Sequence, residues 1–335
     1  QNIFGNSYTA AINLDNGIIF NDSEVEQTVY LYRTGSFQSW ANGSLVTDGS
    51  TPNAGSYIAI PAKVGTTIWG NQIPSMQGFL LKFTPTETKY NNPAKTVTLK
   101  YNNGGVVANT KPQLAPKAPQ ANLAVTLNSK TTVDKVWLFS QEGTSDKFDN
   151  GWDGTKYFGT PTAFIYSESS FGPLQVNTSD DLDGKVLTIY PNKDTDYTLT
   201  LTKTNLGAYD NLHLVDLMER TVTPLTAETT TYHFTETGAG ARVKRFIIVN
   251  SNKVDFNSEQ FKLLDGYLQN NDKLVISNFT TKAGRAYLYD MAGKTVVSAA
   301  IQTSVTELPV SLKSGVYILN LEADGKQTSV KMIVK

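Results

Sequence analysis

Short runs of alternating apolar and polar residues punctuate the whole chain, and few keep a helical period. Thr28-Val-Tyr-Leu-Tyr32, Ser56-Tyr-Ile-Ala-Ile60 and Gly78-Phe-Leu-Leu-Lys-Phe83 place side chains on two faces in turn, as strands do. Asn16-Gly17, Asn42-Gly43, Asp48-Gly49 and Asn102-Asn-Gly-Gly105 separate such runs, and Asn, Asp and Gly tolerate the positive φ that tight turns demand. The first unit, 1–112, therefore reads as a β-sandwich. Pro112, Pro116 and Pro119 then interrupt any ladder or helix, so 113–121 reads as a stiff linker.

Strand signals resume at Leu123–Leu127, Val136–Phe139, Val186–Tyr190, Tyr197–Leu201, Leu212–Leu217, Thr231–Phe234 and Arg245–Val249, which predicts a second β-sandwich over 122–255. The stretch 256–271 is ambiguous. Ser258 could cap a helix bearing Phe261, Leu264 and Leu268, but Asp265-Gly266 reads as a hairpin turn, and the turn is preferred. Runs at Leu274–Ile276, Ala286–Tyr289, Val296–Ala299, Val316–Leu321 and Val330–Val334 predict a small Ig-like sandwich of six or seven strands closing the chain, over 256–335. In its last strand Val330, Met332 and Val334 share one face and Lys331, Ile333 and Lys335 the other. The fold class expected is all-β, in tandem antiparallel sandwiches.

Composition supports this reading. The 335 residues include 41 Thr, 16 Tyr and 15 Phe, types that suit a pleated, half-buried surface. The formal charge of −1 supplies no global field for nucleic acid or an anionic bilayer. It hides local imbalance: 273–335 carries eight basic and four acidic residues, whereas 134–183 carries three basic and nine acidic. With no cysteine, disulfides, thiolate nucleophiles and thiolate metal sites are excluded. No apolar run approaches a membrane helix, so no membrane insertion is expected. Gln1-Asn-Ile-Phe-Gly5 lacks the basic and apolar regions of a signal peptide, which fits removal of an export signal.

Tyr289-Asp-Met-Ala-Gly-Lys294, Leu308-Pro309, Leu312-Lys-Ser-Gly-Val-Tyr-Ile318 and Val330-Lys-Met-Ile-Val-Lys335 together resemble the C-terminal sorting domain of proteins exported by the type IX (Por) secretion system of Bacteroidetes. The resemblance covers about a fifth of the chain. It places Asp290, Gly293, Gly315, Tyr317, Lys331 and Lys335 in the sorting motif, with Gly315 and Tyr317 at a buried strand entry. It implies an extracellular or outer-membrane-surface protein, with the export machinery as partner and a terminal domain that is often removed after export. On that view, deleting 273–335 should leave the first two units folded. Asp146-Lys-Phe-Asp-Asn-Gly-Trp-Asp-Gly-Thr-Lys156 is similar to a loop of large surface proteins of the same phylum, with Trp152 where Tyr is more usual. Gly5–Ile12 and Ile73–Phe79 resemble a paired signature of such proteins, with Ser7 and Thr9 replacing its prolines.

Asp146, Asp149 and Asp153, with Asp180, Asp181 and Asp183 in a second loop, are the dense carboxylate clusters of the sequence, and hard oxygens in a loop are what Ca2+ requires. Read as an EF-type loop from Asp149, Gly154 fits the sixth place, but Gly151 and Thr160 fall where ligands belong. The preferred reading is a plain turn without a cofactor, in which Asn at 149 and 153 would be tolerated. His213 and His233 lack metal-ligand spacing and read as structural. Ala292-Gly-Lys-Thr295 lacks the first glycine of a phosphate loop, since Leu288 stands there. Of Trp40, Trp69, Trp137 and Trp152, the last sits in a Gly- and Asp-rich loop where it either stacks on a sugar or pins the loop. The expected function is non-enzymatic, with no catalytic residues: adhesion modules for a surface, glycan or host-matrix ligand. The alternative is a carbohydrate-binding or carbohydrate-degrading surface protein.

Overall fold

Four strands in the order Asn2–Gly5, Gly78–Phe83, Val25–Arg33, Ser56–Pro61 make the main sheet of the N-terminal unit in the computed structural model, every pairing antiparallel. The structure describes residues 2–22, 25–33, 39–41, 44–46, 56–69, 72–83, 96–109, 120–158, 163–236, 240–256, 258 and 261–334. The Asn42-Gly43 and Asp48-Gly49 turns, the side chain of Trp40 and nearly all of the proline segment lie outside the described residues. Among the described residues strands take 56 %, and the one helix is the four-residue Gly65–Ile68.

Strand alternation sorts the main sheet into two faces. Val29 and Leu31 enter the unit's own core, whereas Thr28 and Tyr30 reach residues 153 and 155 of the next unit through hydrogen bonds. The middle unit is an eleven-stranded sheet. Its central path runs Lys185–Tyr190, Phe164–Ser167, Leu174–Ser179, Val133–Ser140, Asn122–Asn128, Asp196–Thr204. Leu123, Val125, Leu127, Val136 and Leu138 face the unit's own core, while the alternate residues Ala124, Trp137, Phe139 and Val176 join the core of the N-terminal unit. One sheet thus serves two cores.

All but one ladder of this sheet are antiparallel, as expected. The exception pairs Trp137–Ser140 with Val176–Ser179 in parallel. A parallel pair cannot be closed by a hairpin and needs a long crossover. That crossover, 141–173, contains the Asp146–Lys156 loop and is held against the N-terminal unit.

Two sheets make the C-terminal unit. One has the order Leu264–Gln269, Lys273–Asn278, Val305–Pro309; the other Thr295–Ile301, Gly284–Asp290, Gly315–Ala323, Lys326–Val334. Their inner faces share Leu274, Ile276, Leu288, Leu319, Met332 and Val334. This is the small sandwich of seven strands. Asp265-Gly266, expected as the turn, instead lies inside a strand, and the chain reverses after Gln269, with Asn270 (φ 51°) and Asn271 (φ 63°) left-handed. Gly266 is needed for close sheet packing, since a Cβ there would meet Leu319 Cδ2 at 2.5 Å.

Candidate functional site

The crossover loop is built by its own Asp and Asn side chains. Asp149 Oδ2 accepts the Ser145 N–H at 2.6 Å, and Asp153 accepts two backbone N–H groups, from Asp149 at 2.8 Å and from Thr178 at 2.7 Å. Gly151, at φ 87°, allows the tight turn between them. Asp153 is fully buried; burial pushes its carboxyl up to about 7 against the pull of its two backbone donors. Asp146 pairs instead with Lys185. Among the described residues no group of three or more His, Cys, Asp or Glu side chains comes together as a metal site.

From this scaffold the loop reaches across to the N-terminal unit. Asn150 binds Val25–Arg33 as a strand would: its Nδ2 donates to the Val25 carbonyl at 2.9 Å, and its Oδ1 accepts the Gln27 N–H at 2.7 Å. Lys63 N–H donates to the Gly151 carbonyl at 2.9 Å, and the Thr28 hydroxyl to the Asp153 carbonyl at 2.9 Å. Gly154 sits flush on Ala59, where a Cβ would come within 2.7 Å of the Ala59 Cβ. Trp152 is half-buried against the N-terminal core with Lys63 Nζ 5.0 Å from its ring centre. Lys63 thus lies over one face of the ring.

Beside the loop, the buried Tyr30 and Glu26 and the half-buried Lys82 and Thr155 form a polar cluster, with Lys82 Nζ 4.0 Å above the Tyr30 ring. Burial, reinforced by the Glu26 carboxylate, holds the Tyr30 hydroxyl well above its usual pKa; burial also lowers Lys82, partly offset by Glu26. Gln175 accepts the Ala59 N–H at 2.8 Å. Where the crossover returns, Lys156 Nζ lies 2.6 Å from both carboxylate oxygens of Asp134, with both side chains out of water.

In the C-terminal unit, Asp290 Oδ1 accepts the N–H groups of Ala292 and Lys294, each at 2.9 Å, and Gly293 (φ 79°) completes that hairpin turn. Tyr317 is buried and donates to the Lys313 carbonyl at 2.9 Å. Gly315 is exposed rather than buried, because it pairs with Val334 on the end rung of its ladder. Lys331 is exposed on the outer face with Ile333, while Met332 and Val334 are buried; Lys335 lies outside the described residues. His213 Nδ1 is 2.8 Å from the Asn211 carbonyl oxygen, and the exposed His233 Nδ1 is 2.9 Å from the Thr198 hydroxyl.

A feature not foreseen from sequence lies where the middle and C-terminal units meet. Two adjoining cavities of about 210 and 370 Å3 share Arg242 and Tyr267. Tyr166, Glu168 and Lys244 line the smaller, and Phe158, Phe164 and Tyr190 the larger. Its anchors cross between units: Tyr267 Oη accepts the Arg242 N–H at 2.7 Å, and Lys244 pairs with Asp265 at 2.8 Å. The Arg242 guanidinium lies 5.1 Å from the Phe158 ring centre. Burial raises the Tyr267 hydroxyl to about 12. No local pattern marks the cleft, because its walls come from strands far apart in sequence.

The terminal sandwich and its turn residues define a class. Residues 270–335 match the family model described as a secretion system C-terminal sorting domain. The protein is accordingly a type IX-secreted, extracellular or cell-surface protein of Bacteroidetes type. The chain is also 28 % identical over 345 residues to the minor fimbrium subunit Mfa5 of Porphyromonas gingivalis, an alignment that covers 99 % of this chain and 27 % of that protein. The chain therefore spans about a quarter of the length of the curated relative it matches. No solved structure matches the chain. No helix among the described residues is long and apolar enough to cross a membrane.

Proposed function

We propose that this chain is a non-enzymatic adhesion segment of a fimbrium-type surface protein, handed to the export machinery through its C-terminal domain. The observation that carries this reading is the similarity to a fimbrium subunit along 99 % of the chain, sorting region included. Stacked β units locked by buried polar contacts suit a part that bears load outside the cell. In this reading the Asp290–Gly293 turn, Gly315 and Lys331 belong to the surface read during export, the buried Tyr317 holds the strand entry in place, and the Asp146–Lys156 loop is an inter-unit clamp that uses no cation. The test is to express a tagged chain in a host with the type IX apparatus and shear its surface appendages. Recovery of the tag with the sheared appendages is expected; a tag found wholly as free protein in the medium would count against a fimbrium-type role.

The cleft favours a second reading, saccharide binding. Aromatic rings beside planar charged side chains are the chemistry that holds a sugar face and its hydroxyls. A glycan array probed with the full chain and with Arg242→Ala tests it: a bound glycan that the variant loses supports the reading, and an array without binding removes it.

A further inference from the structure

We propose that the sorting domain stays on this chain after export as a structural part of the mature surface protein. A detachable address needs a boundary that few contacts cross. Here the boundary runs through a core. Phe261, Leu263 and Phe279 are 4 %, 3 % and 3 % exposed, and they belong to the same apolar cluster as Leu214, Phe246 and Val249 of the middle unit. Val254, Phe256 and Val305 pack against that cluster. Phe279 and Val305 both lie within the region that matches the sorting-domain model. Removing that region would uncover the middle unit's core.

Directional contacts seal the same seam. Arg220 Nη1 donates to the Phe279 carbonyl at 3.1 Å, and its guanidinium lies 4.7 Å from the Phe256 ring centre. Gln269 Nε2 donates to the Gly240 carbonyl at 2.9 Å, beside the Arg242–Tyr267 and Lys244–Asp265 contacts. Buried apolar side chains with cross-boundary hydrogen bonds on both flanks are the anatomy of a permanent interface. Met291 to Gly293 of the hairpin turn and Lys331 on the outer face are exposed with the seam closed, so recognition by the export machinery does not require this seam to open.

Two measurements test the proposal. In the first, a protease recognition sequence is inserted beside the exposed Asn252-Lys253 in the full chain, and the purified protein is cut to completion. The two pieces are expected to co-elute in native size exclusion and to part only in denaturant; Phe279→Ser should release them, and Met291→Ser, on the exposed hairpin, should not. Pieces that separate in native buffer while the larger keeps its melting temperature would overturn the proposal. In the second, which needs no insertion, the intact mass of the chain is measured on protein shaved from the surface of a type IX host. A mass that includes 273–335 is expected, and a mass short of that region would overturn the proposal.

Discussion

Asp153 is the buried carboxyl on which the crossover loop turns, and replacing it with asparagine gives a measurable signature. The variant keeps the shape and one acceptor. Its amide NH2 must then face the N–H of Asp149 or of Thr178, donor against donor, at a cost of about 1–3 kcal/mol. Wild type carries the opposite burden at higher pH. A free aspartate titrates near 3.9, and burial lifts this one to about 7. Because the folded pKa lies above the unfolded one, the native state holds the proton more tightly. The stability this adds is complete below about pH 4 and is lost as pH rises through about 7. Three units amount to about 4 kcal/mol. Asparagine does not titrate, so wild type should lose about that amount relative to Asp153→Asn between pH 4 and pH 8, and the variant should become the more stable protein at the alkaline end. Urea unfolding of both proteins across this range reads the difference directly, since titrations common to the two proteins cancel. A variant deficit that stays flat or grows with pH would refute the reasoning, because the two backbone donors would then outweigh burial.

Calcium and chelator should give equal melting temperatures, since Asp146 is held by Lys185 and the oxygens of Asp153 face backbone donors; a wild-type shift of several degrees that vanishes in Asp149→Asn/Asp153→Asn would establish a cation site. Lys156→Met should cost about 3–5 kcal/mol by chemical denaturation, because it strands Asp134 in the interior, and adding Asp134→Leu should recover part of the loss. Gly154→Ala should cost about 1–3 kcal/mol and loosen the N-terminal unit, which limited proteolysis would show as earlier cleavage within 1–109. Asp290→Ala should lower stability by about 1 kcal/mol, read as a lower melting temperature, by removing the acceptor of two turn N–H groups.

Strands with one wet face were legible in the sequence. Tyr197–Leu201 announces itself by alternation, Gly78–Phe83 and Leu123–Leu127 by strand-forming residues between turn signals although both faces are covered, and the last sandwich by alternation and turn residues together. Phe164–Ser167 and Leu174–Ser179 did not, although they are central. All ten of their residues are buried, because one face meets the middle core and the other the N-terminal unit or its bonds, so no wet face remains to make a period. Gln175, Asn177, Thr178 and Ser179 look like surface residues by type. They are buried because partners such as Ala59 and Ser167 satisfy them.

The sequence by itself determined the local matters: an all-β chain, the Asp- and Gly-rich turn at 146–156, and a terminal sandwich whose motif residues form its hairpin turn and strand entry. These follow from properties that neighbouring residues carry among themselves, namely side-chain period, tolerance of positive φ and self-bonding of Asx side chains. Tertiary structure alone decided that the acidic loop bonds to the N-terminal unit, that Asp153 is a buried carboxyl, that Asp265-Gly266 is strand and that Phe279 belongs to its neighbour's core. Asn150 finds Gln27 across 123 positions, and Arg220 finds Phe279 across 59. Contacts at such separations depend on which sheets come to share a face, and no local periodicity encodes that.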